Sequence, residues 1–227
     1  MVNKINTQSG YSLIELIMAA FVGSIVIAGA YASYSVVASQ YQKGSGIGDV
    51  RDFAIPTISI ISRDLRMAGF RAVDNNIETI YGRINPPIQI TDTAGACCDS
   101  FWVVYDKDIN TRLRITYSVA ARANPTRNAL FMDIDQWDGN AWNNTTNDAI
   151  VADYVEDFQV EGANNNSAGD PTLVSFNIVF RSRNKSQTPI TFTKSAYGSG
   201  NYDSYSITDN YLREEFDTSV ILRNLLD

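Results

Sequence analysis

The chain contains no histidine. That excludes Ser-His-Asp triads, Cys-His dyads and His-ligated metal sites. Cysteine is scarce: the only two, Cys97 and Cys98, are neighbours. There is no Cys-x-x-Cys redox pair, and two thiols without histidine cannot close a structural zinc shell. Basic charge is in deficit, with a formal net charge of -7, which argues against a general nucleic-acid-binding surface. The most telling absence is local. From Leu16 to Gln42 there is no Asp, Glu, Lys or Arg. That run exceeds the roughly 20 apolar residues needed to cross a bilayer as a helix.

One carboxylate, Glu15, stands at the edge of this run, in Gly10-Tyr11-Ser12-Leu13-Ile14-Glu15-Leu16. An ionised side chain in such a segment is expensive and needs a partner. The ten residues before Tyr11 are polar and carry one charge, Lys4. An ordinary secretory signal places its apolar region before the cut; here the apolar region follows the Gly. Lys4 places the N-terminus on the cytoplasmic side and the bulk of the chain outside. The bland alternative is a single-pass anchor with a stray Glu. Within the run, Ala19, Ala20, Gly23, Ser24, Ala28, Gly29, Ala30, Ala32 and Ser33 allow close helix approach in lipid.

The segment Ser9–Leu16 resembles the N-terminus of type IV pilins and pseudopilins, with Tyr11 where Phe or Met is usual. The resemblance implies cleavage by a prepilin peptidase between Gly10 and Tyr11, and N-methylation of Tyr11. Loss of Lys4 with the leader leaves a side-chain charge of -8. It also implies that Glu15 faces the N-terminal amine of a neighbouring subunit and sets axial register. Physically, such a pair is strengthened by low dielectric and supplies register more than net stability.

Residues 47–68 place Ile47, Val50, Phe53, Ala54, Ile58, Ile61, Leu65 and Ala68 at three- and four-residue spacings between charged residues, which predicts an amphipathic helix on a core. Gly44, Gly46 and Gly48 predict a loosened stretch, Pro56 a kink or break near Ile55, and Gly69 a C-terminal cap. Arg63–Phe70 and the C-terminal stretch Tyr211–Leu225, with its Arg223-Asn224 pair, resemble PilW-type minor pilins and, more distantly, the J-type pseudopilin of type II secretion.

Alternating or β-branched runs predict strands at 100–105, 112–119, 128–134, 154–161 and 173–181, with 216–225 a further candidate. Asn-, Asp-, Gly- and Ser-rich stretches at 138–148, 162–171, 184–188 and 195–210 read as loops. A helix followed by antiparallel strands gives an α+β fold, with the long N-terminal helix packed on an antiparallel sheet as the resemblance implies. The expected divisions are a leader at 1–10, a membrane or filament-core helix at 11–38, its amphipathic continuation at 39–69, and a β-rich domain at 70–227.

An exported domain meets an oxidising compartment, so Cys97 and Cys98 form a vicinal disulfide or remain as free or intermolecular thiols. Asp133, Asp135 and Asp138 before Gly139 faintly suggest a calcium loop, but the spacing departs from the usual one and a distal Glu is missing. Glu156, Asp157 and Glu161 form an acidic set with nothing to mark a pocket. The expected function is that of a non-catalytic minor pilin without cofactor. Its expected partners are the prepilin peptidase, other minor and major pilins, inner-membrane lipid and the assembly platform, with no nucleic acid. The alternatives are a J-type pseudopilin or an envelope binding protein that never polymerises.

Overall fold

In the computed structural model, residues 12–73, 81–93, 97–123, 126–197 and 204–226 are described. Among these residues a single α-helix, α1, runs from Leu13 to Met67. Eight strands follow among the described residues: β1 Ile88–Thr91, β2 Ser100–Asp108, β3 Thr111–Ala123, β4 Thr126–Trp137, β5 Trp142–Asp153, β6 Val155–Asn165, β7 Pro171–Lys194 and β8 Tyr205–Ile221. The short 3-10 turn Arg223–Leu225 comes last among the described residues. The chain divides into two compact units, Met1–Gly44 and Ser45–Asp227.

The described part of the first unit is helix. Its large apolar side chains, among them Leu16, Phe21, Ile25, Ile27, Tyr34 and Val37, are exposed. By length and composition this helix is able to cross a membrane. Its serines bond to their own helix: the hydroxyls of Ser24, Ser33, Ser35 and Ser39 donate to the carbonyls of Phe21, Gly29, Ala32 and Val36 at 2.7–3.0 Å. That satisfies each hydroxyl within the segment, as an apolar surround demands.

In the second unit, residues 45–67 of α1 pack against sheet. Val50, Ala54, Ile61, Leu65 and the following Ala68 are fully buried. They share one core with Phe101, Val103, Ile115 and Tyr117 from β2 and β3, and with Phe158, Phe176, Ile178 and Phe180 from β6 and β7. The amphipathic reading thus holds for the inner stripe, while Ile47 lies exposed. The predicted break at Pro56 does not occur; Pro56 lies inside α1, as do Gly44, Gly46 and Gly48. Proline removes one helical N–H, and three glycines cost roughly 1 kcal/mol each in a helix. Packing outweighs both: Ala54 and Thr57 flank Pro56 and are buried, and the Thr57 hydroxyl donates to the Phe53 carbonyl at 2.6 Å. Most helical stability in proteins comes from such packing.

The strands form two antiparallel sheets where the sequence suggested one. A five-stranded meander has the order β1-β2-β3-β4-β5, and a three-stranded sheet has the order β6-β7-β8. The expected loop at 138–148 is another departure. Asp138–Ala141 makes the turn, and Trp142–Asp153 is the edge strand β5. The expected loop at 184–188 lies within β7, where the register shifts between Arg181 and Ile190. The stretch 195–210 is in part strand, since β8 begins at Tyr205; its residues 198–203 lie outside the described ones. Of the C-terminal strand candidate, residues up to Ile221 are in β8 and the rest turn into the 3-10 segment.

Candidate functional site

The helix opens with a reciprocal cap. The Ser12 N–H donates to the Glu15 carboxylate at 2.9 Å, and the Glu15 N–H donates to the Ser12 hydroxyl at 3.3 Å. This capping box satisfies two orphan donors of the first turn and sets the Glu15 charge beside the positive end of the helix dipole. The Ser-x-x-Glu spacing of Ser12 and Glu15 carries this cap in the sequence. The proposed cleavage site, Gly10 and Tyr11, lies outside the described residues. Beyond the cap, the surface at Gly23 and Gly29 is open, with no atom within 4 Å of an added Cβ.

At the other end of α1, the segment Arg63–Phe70 and the C-terminal stretch meet. Gly69 has φ +74° and its N–H donates to the Val104 carbonyl at 2.9 Å, which makes it the left-handed stop that the sequence predicts. The Asn224 amide donates to the Arg66 and Ala68 carbonyls at 3.0 and 3.2 Å, so the C-terminal segment satisfies acceptors at the helix end. One turn earlier, the buried Asp64 accepts from the Tyr117 hydroxyl at 2.6 Å and pairs with Arg63 at 2.9 Å. Burial, and then the Asp64 charge, push the Tyr117 phenol far above its ordinary pKa and that of Tyr105 up to about 12.

The other candidates separate into local roles. The sulfurs of Cys97 and Cys98 are placed against each other, with Asp157 beside them. Asp157 is committed to the buried Lys194 and to Gln159, so these three donors do not make a free ligand set. Asp133 accepts from the Asp148 N–H, Asp135 pairs with Arg114, and Asp138 accepts the Asn140 and Ala141 N–H groups of its turn. Each carboxylate of the suggested calcium loop therefore serves a different partner. Glu156 pairs with Arg181 and Arg213, not with Asp157 or Glu161. Arg213 also grips Asp209 and holds that carboxyl below the usual range. These contacts tie β6 to both β7 and β8.

Residues 5–31 match a family model described as the prokaryotic N-terminal methylation motif. Among solved structures, a type IV-like pilin from Thermus thermophilus is similar, with a TM-score of 0.51 and 14% identity over 78% of this chain and 98% of that one. At that identity the likeness is one of fold. No curated protein matches the chain. Fold and motif together give a pilin-like fold that carries a prokaryotic N-terminal methylation motif.

Proposed function

We propose that the chain is a minor pilin of PilW type, a structural subunit that joins or primes a type IV pilus. The observation that carries this reading is the coincidence of a methylation motif with an exposed, charge-free helical surface that begins at the Ser12–Glu15 cap and continues, along the same helix, into the core of an α+β domain. A prepilin peptidase removes residues 1–10 and methylates Tyr11. The helix partitions into the inner membrane, with the domain from about residue 70 in the periplasm, and then passes to the assembly platform.

In the filament the apolar surface of residues 13–41 is covered by equivalent helices. Glu15 exchanges its cap contact for the amine of a neighbouring subunit. A charge pair in that dry setting penalises wrong stagger. The subunit's work is packing and register, with no chemical step. Cys97 and Cys98 are joined as a vicinal disulfide in the exported domain.

The test is the composition of sheared filaments. The chain is expected there in small proportion to the major pilin, and only in cells that have the peptidase; its deletion lowers filament number. Confinement to the inner membrane in all strains would overturn the reading. A secretion defect with normal pili would move the protein to the J-type pseudopilins.

A further inference from the structure

All three tryptophans of the chain line one cleft on the outer face of the five-stranded sheet. Strand alternation brings them together. Trp102 and Val104 share a face of β2; Val104 pairs with Arg114, which pairs with Asp135 on β4. Two residues along, Arg112 pairs with Trp137, which pairs with Trp142 on β5. The opposite face of the sheet carries Phe101, Val103, Ile115 and Tyr117 and is buried in the core. The segment from Tyr81 to Pro86 supplies the remaining wall of a cavity of about 390 Å³, within the usual range for small-ligand sites.

The lining is both aromatic and polar. Trp137 and Trp142 have ring centroids 5.2 Å apart, tilted by 57°. The Arg114 guanidinium lies 4.8 Å from the Trp142 centroid and donates twice to Asp135 at 2.7 and 2.9 Å. The other Asp135 oxygen accepts from the Asn144 amide at 3.2 Å. Arg112 is buried against Asp106 and also donates to the Tyr81 and Gly82 carbonyls, which fixes the wall. The ring planes and their polar frame are thus held in place before any ligand arrives. None of the three indole N–H groups has a protein acceptor among the described residues, and all three rings are only half-buried. Three clustered, half-exposed indoles are an unusual use of surface.

We propose that this cleft binds a saccharide, with a pyranose ring against the indoles. The negative face of an indole attracts the polarised C–H groups of a sugar ring and covers its apolar side. Vicinal hydroxyls then find donors in the indole N–H groups and in Arg114. The charge balance distinguishes this from a phosphate site. Arg112 and Arg114 are each neutralised by a carboxylate, so the interior offers dipoles rather than net positive charge. Arg83, exposed on the rim, has no partner among the described residues and favours a sugar carboxylate there. This site stands apart from the filament reading, since binding to the isolated subunit requires no assembly.

The experiment titrates the full chain, in a sugar-free zwitterionic detergent, with neutral hexose oligomers, N-acetylglucosamine oligomers and oligouronates. Tryptophan emission reports this cleft alone. The expected result is a saturable shift for at least one series, weakened at least tenfold by Trp142→Ala and less by Trp142→Phe, which keeps the stacked ring. Arg83→Ala weakens oligouronates several-fold more than neutral oligomers. If the Trp142→Ala chain loses its fold by circular dichroism, the Phe and Arg83 variants decide. The proposal is overturned by the absence of a saturable shift up to millimolar sugar in every series, by binding that is indifferent to these variants, or by an inorganic phosphate response that exceeds every sugar.

Discussion

Gly69 joins the end of α1 to the last described turn of the chain, and replacing it tests whether that junction is built as described. In Gly69→Ala the added Cβ meets two obstacles. The backbone sits at φ +74°, where a side chain costs about 1–2 kcal/mol. The Cβ would also lie 2.5 Å from Leu225 Cδ2 and 3.4 Å from Pro87 Cβ. Leu225 is 8% exposed and part of the core, so forcing it aside adds about 1–3 kcal/mol. The expected loss is about 2–5 kcal/mol, a large share of the 5–15 kcal/mol typical of a domain. In a domain of this size that lowers Tm by roughly 4–20 °C.

The assay is urea and thermal unfolding of the full chain in detergent, followed by tryptophan emission, which reports the sheet domain. Leu225→Ala removes the obstructing methyl groups at its own cost of about 2–4 kcal/mol. The double variant should then be less unstable than the sum by about 1–3 kcal/mol, while the conformational part of the penalty persists. A Gly69→Ala protein within 2 °C of the parent, or strictly additive variants, would refute the junction.

Three further outcomes follow from the same geometry. Tyr117→Phe leaves the buried Asp64 with only Arg63 as a side-chain partner among the described residues, and should cost about 1.5–3 kcal/mol by denaturant unfolding. Glu15→Gln keeps a capping-box side chain but removes the charge; assembly should fall sharply while helix content holds, whereas normal incorporation into sheared filaments would reduce Glu15 to a cap. Asp153 and Asp209 are held below the usual carboxylate range by Arg127 and Arg213 respectively. Their folded values are depressed, so their contribution is complete above the unfolded value of about 3.9 and is lost as pH falls through the folded value. Unfolding midpoints should therefore hold from pH 7 to about 5 and drop below about 4, and Asp153→Asn should flatten that acid limb.

Much of the domain was readable where one physical signal dominates. The buried stripe Val50, Ala54, Ile61, Leu65 follows helical period and survives Pro56 because burial outweighs one missing N–H. Strands β2, β3 and β7 alternate because one face meets the core. Strand β5 has no such signal in the sequence, for the converse reason. It is an edge strand, mostly exposed, and its Asn, Thr and Asp residues follow no apolar period; charge and polarity are how sheets protect an edge. With Trp142 assigned to a loop, its meeting with Trp137 and Trp102 was invisible, since only strand register brings those three together. Asn224 is similar: a polar residue near the end of the sequence becomes a helix cap only through a contact 156 residues away. The N-terminal segment was legible because its information is local, a missing charge over a membrane's length and one carboxylate at the edge.

The central claim rests on that segment, and the mass of the N-terminal peptide tests it most directly. Protein from membranes of cells with and without the prepilin peptidase would be compared intact and after digestion. The account predicts a chain that starts at N-methylated Tyr11, found only when the peptidase is present. A chain that still starts at Met1 in both strains would contradict it and leave an anchored envelope domain with a capped helix.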